Sequence, residues 1–323
     1  LHMTTVGVKY RHARVNEAIS AAAWYQHILD RGVTYMSAVA VDSKGVIHAV
    51  YEKWVMLETP IHRVSGGDVV GLADIFYRRS SDGGYTWTIP VNLSRTAEVG
   101  SYRVQVKVDA NDVVYVSWDE GWDRRSLYGE PQEGVYVFST DGGQSWSDPV
   151  LFPLPERTNA QMTVASDNQG GVLVVWRTTN YDKIFYSWSA DQGITWSEPQ
   201  TIPGIFARSF EDTPFDAYEM ETDSAGRIHL VMVGRSRRPE SRGDVVPLGV
   251  YHLVWDGVEW SEPEAIAIYS PDKGYPEYPR LDISEGNRLH VVWFTRDMQF
   301  GGDLYQVWYS SALTDAPYQA CLL

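Results

Sequence analysis

Short runs of alternating apolar and polar residues dominate this chain, and they are broken at regular intervals by Asp-containing turns. Val41-Asp42-Ser43-Lys44-Gly45-Val46-Ile47-His48-Ala49-Val50-Tyr51 shows the unit. It aligns with Val108–Trp118, Ser166–Trp176, Thr222–Met232 and Ile283–Trp293, and nine residues separate the Asp (Ser284 in the last copy) from the closing aromatic or Met. Alternation of period two on both flanks predicts two strands, each with a buried and a solvated face, and Asp-x-x-Gly between them predicts a hairpin turn. A third apolar run follows in each copy: Ile75–Tyr77, Val135–Phe138, Ile184–Trp188, Val250–Val254 and Tyr305–Ser310.

The third run leads into a second repeated motif. Ser80-Ser81-Asp82-Gly83-Gly84-Tyr85-Thr86-Trp87, Ser139–Trp146 and Ser189–Trp196 share Ser-x-Asp-x-Gly-x-Thr/Ser-Trp, followed by Thr/Ser-x-Pro. The hydroxyl and carboxylate suggest chemistry, but a catalytic group is needed once and a turn is needed in every repeat. The motif is therefore read as a structural turn. Ser and Asp bond to turn amides, Gly takes a conformation other residues reach only with strain, and Trp opens the next strand. A fourth copy, Trp255–Pro263, has decayed, and the fifth, Ser310–Asp315, has lost the motif.

The anchors Asp42, Asp109, Asp167, Asp223 and Ser284 lie 67, 58, 56 and 61 residues apart. Four strands at that period predict an all-β fold, a β-propeller of four-stranded antiparallel blades, with five blades countable. One domain over residues 1–323 is expected, with repeated blades from residue 35 onward. Two readings stand for residues 1–34. Val8-Lys9-Tyr10-Arg11 resembles the third strand of a blade, with Trp24 as a box Trp, which would make this segment part of a closing sixth blade. Alternatively, Asn16 caps a helix over Glu17–Leu29.

Composition narrows the class. The chain has 323 residues, is 44% hydrophobic and carries a net charge of -15, which argues against nucleic acid and anionic membrane surfaces as partners. No apolar run approaches the ~18 residues of a membrane span. Cys321 is the single cysteine, so no intramolecular disulfide is possible. CxxC and HExxH patterns are absent, so no metal or other cofactor is expected. No leader is visible; Leu1-His2-Met3 reads as an expression scar, which leaves room for one upstream.

The boxes carry a family resemblance. Over residues 35–311 the chain resembles sialidase-like propellers with BNR/Asp-box repeats, and Arg78–Trp87 is similar to the first box of bacterial sialidases. The resemblance implies a six-bladed propeller, peripheral boxes remote from the active site, and an extracellular or periplasmic location. It also implies three Arg clamping a substrate carboxylate, an Asp acid/base, and a Tyr nucleophile paired with a Glu, a known exception to the two-carboxylate scheme. The chain departs from that pattern at its first inner strand, where Tyr35-Met36-Ser37-Ala38-Val39 holds neither the Arg nor the Pro of the family's Arg-Ile-Pro. The loop between the family's second and third strands, which carries the acid, corresponds to Glu52–Ala73 and offers Arg63 and Asp68.

Propeller ligands bind where inner strands begin and second strands end. Those positions hold Arg103, Gln161, Glu219, Glu277, Tyr278 and Arg280, and Glu52, Trp118, Asp119, Glu120, Trp122, Arg177, Arg235 and Arg296. Arg, acids and aromatics together suit an acidic sugar, with aromatic faces against C–H surfaces and Arg on a carboxylate. The plain alternative is a ring of solvated ion pairs. Three functional readings stay open: a glycan-recognising propeller, an exo-glycosidase of sialidase type, and a non-catalytic protein-interaction scaffold. The glycosidase would use Tyr278 as nucleophile, Glu277 or Glu219 as its base, Asp68 or Asp119 as acid, and Arg103, Arg280 and one of Arg177, Arg235 and Arg296 as clamp. His48, His229 and His290 share one repeat position with Tyr115 and Leu173, so they are read as structural. The long loops 53–73 and 235–249 are expected to carry binding function.

Overall fold

The structure, a computed structural model, describes residues 7–13, 20–61, 68–95, 99–121, 133–152, 159–178, 182–208, 218–241, 244–270, 275–297 and 304–320. Contacts divide the chain into two compact units, residues 1–126 with 135–151, and residues 127–134 with 152–323.

The first unit holds two four-stranded antiparallel sheets with strands in chain order. Before them, β1 (Lys9–His12) and β2 (Tyr25–Ile28) form a two-stranded hairpin. The first sheet is β3 (Thr34–Val41), β4 (Ile47–Ile61), β5 (Val69–Ser80) and β6 (Val91–Asn92). The second is β7 (Gly100–Val108), β8 (Val114–Gly121), β9 (Glu133–Ser139) and β10 (Val150–Leu151). The second unit adds β11 (Asn159–Ser166) to β14 (Gln200–Thr201), with β12 (Val172–Thr178) and β13 (Ile184–Ser189) between them. It continues with β15 (Glu219–Thr222), β16 (Ile228–Gly234), β17 (Leu248–Trp255) and β18 (Glu264–Tyr269). Its last sheet has three strands, β19 (Tyr275–Ser284), β20 (Arg288–Asp297) and β21 (Leu304–Leu313). The fold is thus all-β, of propeller blades, and all five expected third strands fall inside β5, β9, β13, β17 and β21.

Two expectations need correction. Of the helix expected over Glu17–Leu29, the described part, residues 20–29, is not helical: Ala21–Ala23 make one 3-10 turn, and Tyr25–Ile28 form a strand because they pair antiparallel with Lys9–His12. Nor is 53–73 mainly a loop. β4 and β5 continue as a long hairpin as far as the Ile61–Val69 pair.

Four of the five blades are fixed at one end by carboxylates that replace missing turn amide partners, and the last has Ser284 in that place. Asp42 Oδ1 accepts from the amides of Lys44 (3.0 Å) and Val46 (2.8 Å), and Asp109, Asp167 and Asp223 do the same at their own positions two and four residues on. Gly45, Gly170 and Gly226 supply positive φ at the third residue after the Asp; in the second blade Asp112 stands there at φ 59°. Asp is among the few side chains that tolerate this region. Its carboxylate is used as well, accepting from the Ser43 amide and hydroxyl at 2.8 Å each and pairing with Lys44 at 3.0 Å, so one turn ties to the next.

The boxes work in the same way. Ser80 Oγ donates to Asp82 and accepts the Gly84 amide, Asp82 takes both the amide and the hydroxyl of Thr86, and Trp87 Nε1 donates to the Gly84 carbonyl. The boxes at 139–146 and 189–196 repeat the Ser–Asp–Gly–Ser/Thr bonds. The three His are structural, as expected, and act as relays from turn to third strand. His48 lies 3.5 Å from Asp42 and 2.8 Å from the Tyr77 hydroxyl, His229 bonds Asp223 and His252, and His290 bonds Ser284 and Tyr309. Between the sheets, Val50, Ile75, Val104, Val116 and Trp118 lead the core of the first unit. Leu173, Val175, Met220, Leu230 and Trp255 lead that of the second.

Two consequences are measurable. Gly143 has φ 78°, and a Cβ there would meet the Tyr77 hydroxyl at 1.8 Å. Gly143→Ala is expected to destabilise the fold by more than about 1 kcal/mol in urea unfolding, while Gly45→Ala, which meets nothing within 4 Å, carries only the backbone cost. The second concerns pH. The Thr195 hydroxyl and amide, with Ser189, pull the Asp191 carboxyl down to about 2. A folded value below the ~3.9 of an unfolded Asp means stability present above about pH 4 and lost as pH falls through about 2. The gap in urea midpoint between the wild type and Asp191→Asn should therefore be full at neutral pH and close progressively below pH ~4.

Candidate functional site

The blade ends opposite the turns carry a second regularity. Register breaks between Thr34 and Ser37 in β3, Tyr102 and Gln105 in β7, Ala160 and Thr163 in β11, and Glu277 and Arg280 in β19. Each break is a bulge on the inner strand, six residues ahead of the turn anchor. At that position Arg103 (φ 58°), Gln161 (φ 60°) and Tyr278 (φ 55°) are left-handed without being glycine. A left-handed non-glycine residue costs on the order of 1–3 kcal/mol, and bulges re-aim side chains beside functional sites.

In the first unit the bulge builds a compact ion cluster. The Arg103 amide donates to Glu52 Oε1 at 2.5 Å and its Nη1 to Asp119 Oδ2 at 2.5 Å. All three residues are buried, Glu52 completely. Glu120 accepts from Trp118 Nε1 and Ser101 Oγ, both at 2.9 Å, so it braces its own blade. Asp68 is exposed at the head of β5. Arg63 and Trp122 lie outside the described residues.

The second unit gathers most of the remaining candidates. Arg280 pairs with Glu219 across adjacent inner strands, and Arg296 reaches Glu277 at 3.1 Å. Both carboxylates are buried, whereas Arg280 is partly exposed. Burial works against the Arg280 charge, but the charge and hydrogen bond of Glu219 outweigh it and hold the pKa above its ordinary value. Tyr278 stacks on Phe294 (centroids 6.1 Å apart, planes at 14°), and the Arg280 guanidinium stands 5.1 Å over the Tyr278 ring. Arg296 lies 5.6 Å from the Tyr305 ring. Beside this cluster a cleft of ≈ 250 Å³ is lined by Arg235, Pro239, Asp244, Val245, Val246, Leu248, Tyr269 and Tyr275. Tyr275 belongs to both features, since it begins β19 and pairs with Arg296 in register. The 235–249 loop, expected to serve binding, forms one wall of that cleft.

Arg177 is buried and donates through Nε to the Thr178 carbonyl at 3.3 Å, and Arg235 bridges Phe206 through its backbone. Sequence reading missed Arg208 and Tyr275. Arg208 is fully buried, 6.0 Å from the Tyr275 ring, and lies off the repeat grid, where alignment of blades gives no signal. Among the described residues no group of three His, Cys, Asp or Glu is placed to hold a metal ion, and no helix is long and apolar enough to cross a membrane.

Comparison with known proteins places this architecture. No curated protein matches the chain. Among solved structures it is similar to a protein of unknown function from Dyadobacter fermentans, at 16% identity and a TM-score of 0.58, over 92% of this chain and 78% of that one. It is similar to the intramolecular trans-sialidase from Ruminococcus gnavus, solved with oseltamivir carboxylate, at 10% identity and a TM-score of 0.53, over 89% and 86%. It also resembles the Hadza microbial sialidase Hz136, at 16% identity and a TM-score of 0.51, covering 79% of this chain but only 49% of that one. These likenesses establish the sialidase-like blade fold. The profile described as BNR repeat-like domain matches residues 38–291, and with most of its length inside that match this chain belongs to the BNR repeat-like family.

Proposed function

We propose that this chain binds an acidic glycan outside the cytoplasm, through the Tyr278–Arg280–Glu219 cluster and the cleft beside it. One observation carries the reading: Tyr278 is held left-handed at a bulge, backed by Phe294, with a partly exposed guanidinium over its ring. A sugar carboxylate is matched by the planar fork of Arg280, and the adjoining Tyr275 and Tyr269 offer ring faces to C–H surfaces. Glu219 and Glu277 supply acceptors for hydroxyls. The solved relatives named as sialidases support a sialylated ligand as the first to try. Arg235, which lines the cleft, and Arg296, which pairs with Glu277, are assigned to ligand binding with Arg280. Asp119 and Glu120 are assigned to framing their own blade, and Arg103 to joining that blade to the one before it through Glu52.

A second reading has its own support. Tyr278 follows the buried Glu277 in sequence and lies under Arg280, which pairs with the buried Glu219, and a Tyr nucleophile needs a neighbouring carboxylate to take its proton. Under this reading the protein is an exo-glycosidase of sialidase type. The scaffold reading draws no support from the cleft.

Binding and turnover separate by mutation. In titrations with a sialyllactose, Arg280→Ala should weaken binding at least tenfold, about 1.4 kcal/mol, without lowering the thermal midpoint by more than a few degrees. Equal affinity in the variant, or no binding by the wild type to any acidic glycan on an array, overturns the proposal. Tyr278→Phe keeps the stacked ring and loses the hydroxyl. It should hold affinity within about threefold and, if the second reading is right, abolish release of a fluorogenic aglycone from a sialoside. Turnover that survives this change removes Tyr278 as nucleophile.

A further inference from the structure

The relay from turn to third strand uses different partners in different blades. Val50, Val175, Val231 and Val292 each stand eight residues past their turn anchors, and they pair with Tyr77, Tyr186, His252 and Tyr309. Tyr136, three residues ahead of its box as Tyr77 and Tyr186 are, completes the series. Every other blade thus holds tyrosine at this place, and the fourth blade holds histidine. Where a relay His meets tyrosine, as His48 meets Tyr77 and His290 meets Tyr309, the partner stays uncharged from acid to neutral pH. In the fourth blade His229 meets a second imidazole. Its Nδ1 lies 2.8 Å from His252 Nε2, and the two ring planes are 7° apart.

Hydrogen bonding fixes which nitrogens carry protons. Asp223 accepts from His229 Nε2 at 3.1 Å, so in the uncharged relay His229 Nδ1 is the acceptor and His252 Nε2 the donor. The next proton enters at His252 Nδ1, and the surroundings resist that charge. Leu281, Leu289, Val291 and Trp293 of the last blade pack against Val231 and Val250, the register partner and the neighbour of His252 on its own face. The Asp223 charge is already taken by two turn amides and by Arg227 at 2.8 Å. Glu264, opposite His252 in register, stands 4.0 Å away and is 82% exposed, so water screens most of its attraction. Glu221, the register partner of His229, and Asp315, held by Arg227, also border the relay. Burial, with the neighbouring His229, holds the His252 pKa down at about 4.

We infer that the His229–His252 pair is an acid-operated latch: while neutral it ties β16 to β17, and in acid this sheet opens locally, because His252 takes its proton in water and not in the closed sheet. A folded value below the ~6.5 of an exposed His means that the closed sheet has its full stability above about pH 6.5 and loses it as pH falls towards about 4. His48 is also held low by burial, but there Asp42 offsets part of the cost from 3.5 Å and no second imidazole opposes the charge. The fourth blade also carries Glu219 and the loop that walls the cleft, so acid opening reaches that region whatever its ligand.

Amide hydrogen exchange of the full chain at about pH 7.5 and about pH 5, corrected for the intrinsic rate at each pH, tests this. On going to acid, protection within Ile228–Gly234 and Leu248–Trp255 should fall at least tenfold more than within Val172–Thr178 and Ile184–Ser189, the matching strands of the third blade, where Leu173 and Tyr186 stand at the two positions. His252→Tyr, which installs the residue of the other blades, should remove that excess. His252→Gln keeps an N–H donor for His229 without titrating, and should do the same if the tyrosine variant folds poorly by circular dichroism. Equal loss of protection in the two blades, or an excess that persists in whichever variant folds, overturns the inference.

Discussion

A carboxylate accepting two main-chain amides within one tight turn is the interaction on which four of the five blades depend. At Asp42, Asp109, Asp167 and Asp223 a single Oδ1 closes the turn between the first two strands. At Asp82, Asp141 and Asp191 a carboxylate closes the turn after the third. In each case hydrogen bonds to the charged form are worth more than those to a neutral side chain. They also hold the strands in register, because a slip of one residue would reverse both faces of a blade. The His relays extend the constraint, carrying hydrogen bonds from a turn to the third strand.

Turn and site lie at opposite ends of each sheet, and the register proves it within a blade. Ser80, which opens the first box, pairs with Ile47, while Glu52 lies five residues further along β4, about 17 Å away. The box end is polar and repeated, and its own left-handed residues, Asp112, Asn168, Gln192 and Glu285, sit in turns. The other end carries the bulges, the left-handed Arg103, Gln161 and Tyr278, and the buried charges. At the bulges no tight turn calls for the left-handed conformation, so there it survives only where the surrounding structure leaves the residue no alternative.

How much of this was legible in the sequence follows from what repeats. The third strands, the turns and the structural role of the boxes could be read because five imperfect copies average out local ambiguity. The helix reading of residues 17–29 failed where there was one copy and a run of alanines to judge by. Arg103, Tyr278 and Arg280 could be named as candidates because they stand at or near the starts of inner strands. Their pairing with Asp119 and Glu219 could not be named, since ion pairing depends on the geometry of a bulge that alternation alone does not reveal. Arg208 was invisible for the same reason: it follows a fourth strand, in a segment without repeat.

The ion pairs at the site bear on what an acidic ligand would meet there. A buried arginine with no counter-charge would be unstable, and one fully saturated by carboxylates would be unavailable to a ligand. Arg280 meets Glu219 through Nη1, and a guanidinium has five N–H donors in a fixed plane. Its charge is therefore held in place by Glu219 while its partly exposed face stays turned over the Tyr278 ring. On the proposed reading, the pairing would also set selectivity. A bare anion would gain the Arg280 contact and suffer repulsion from Glu219, whereas a sugar that brings hydroxyl donors with its carboxylate would satisfy both residues at once. Glu219 would thereby shift preference from simple anions to polyhydroxylated acids, by repulsion as much as by attraction.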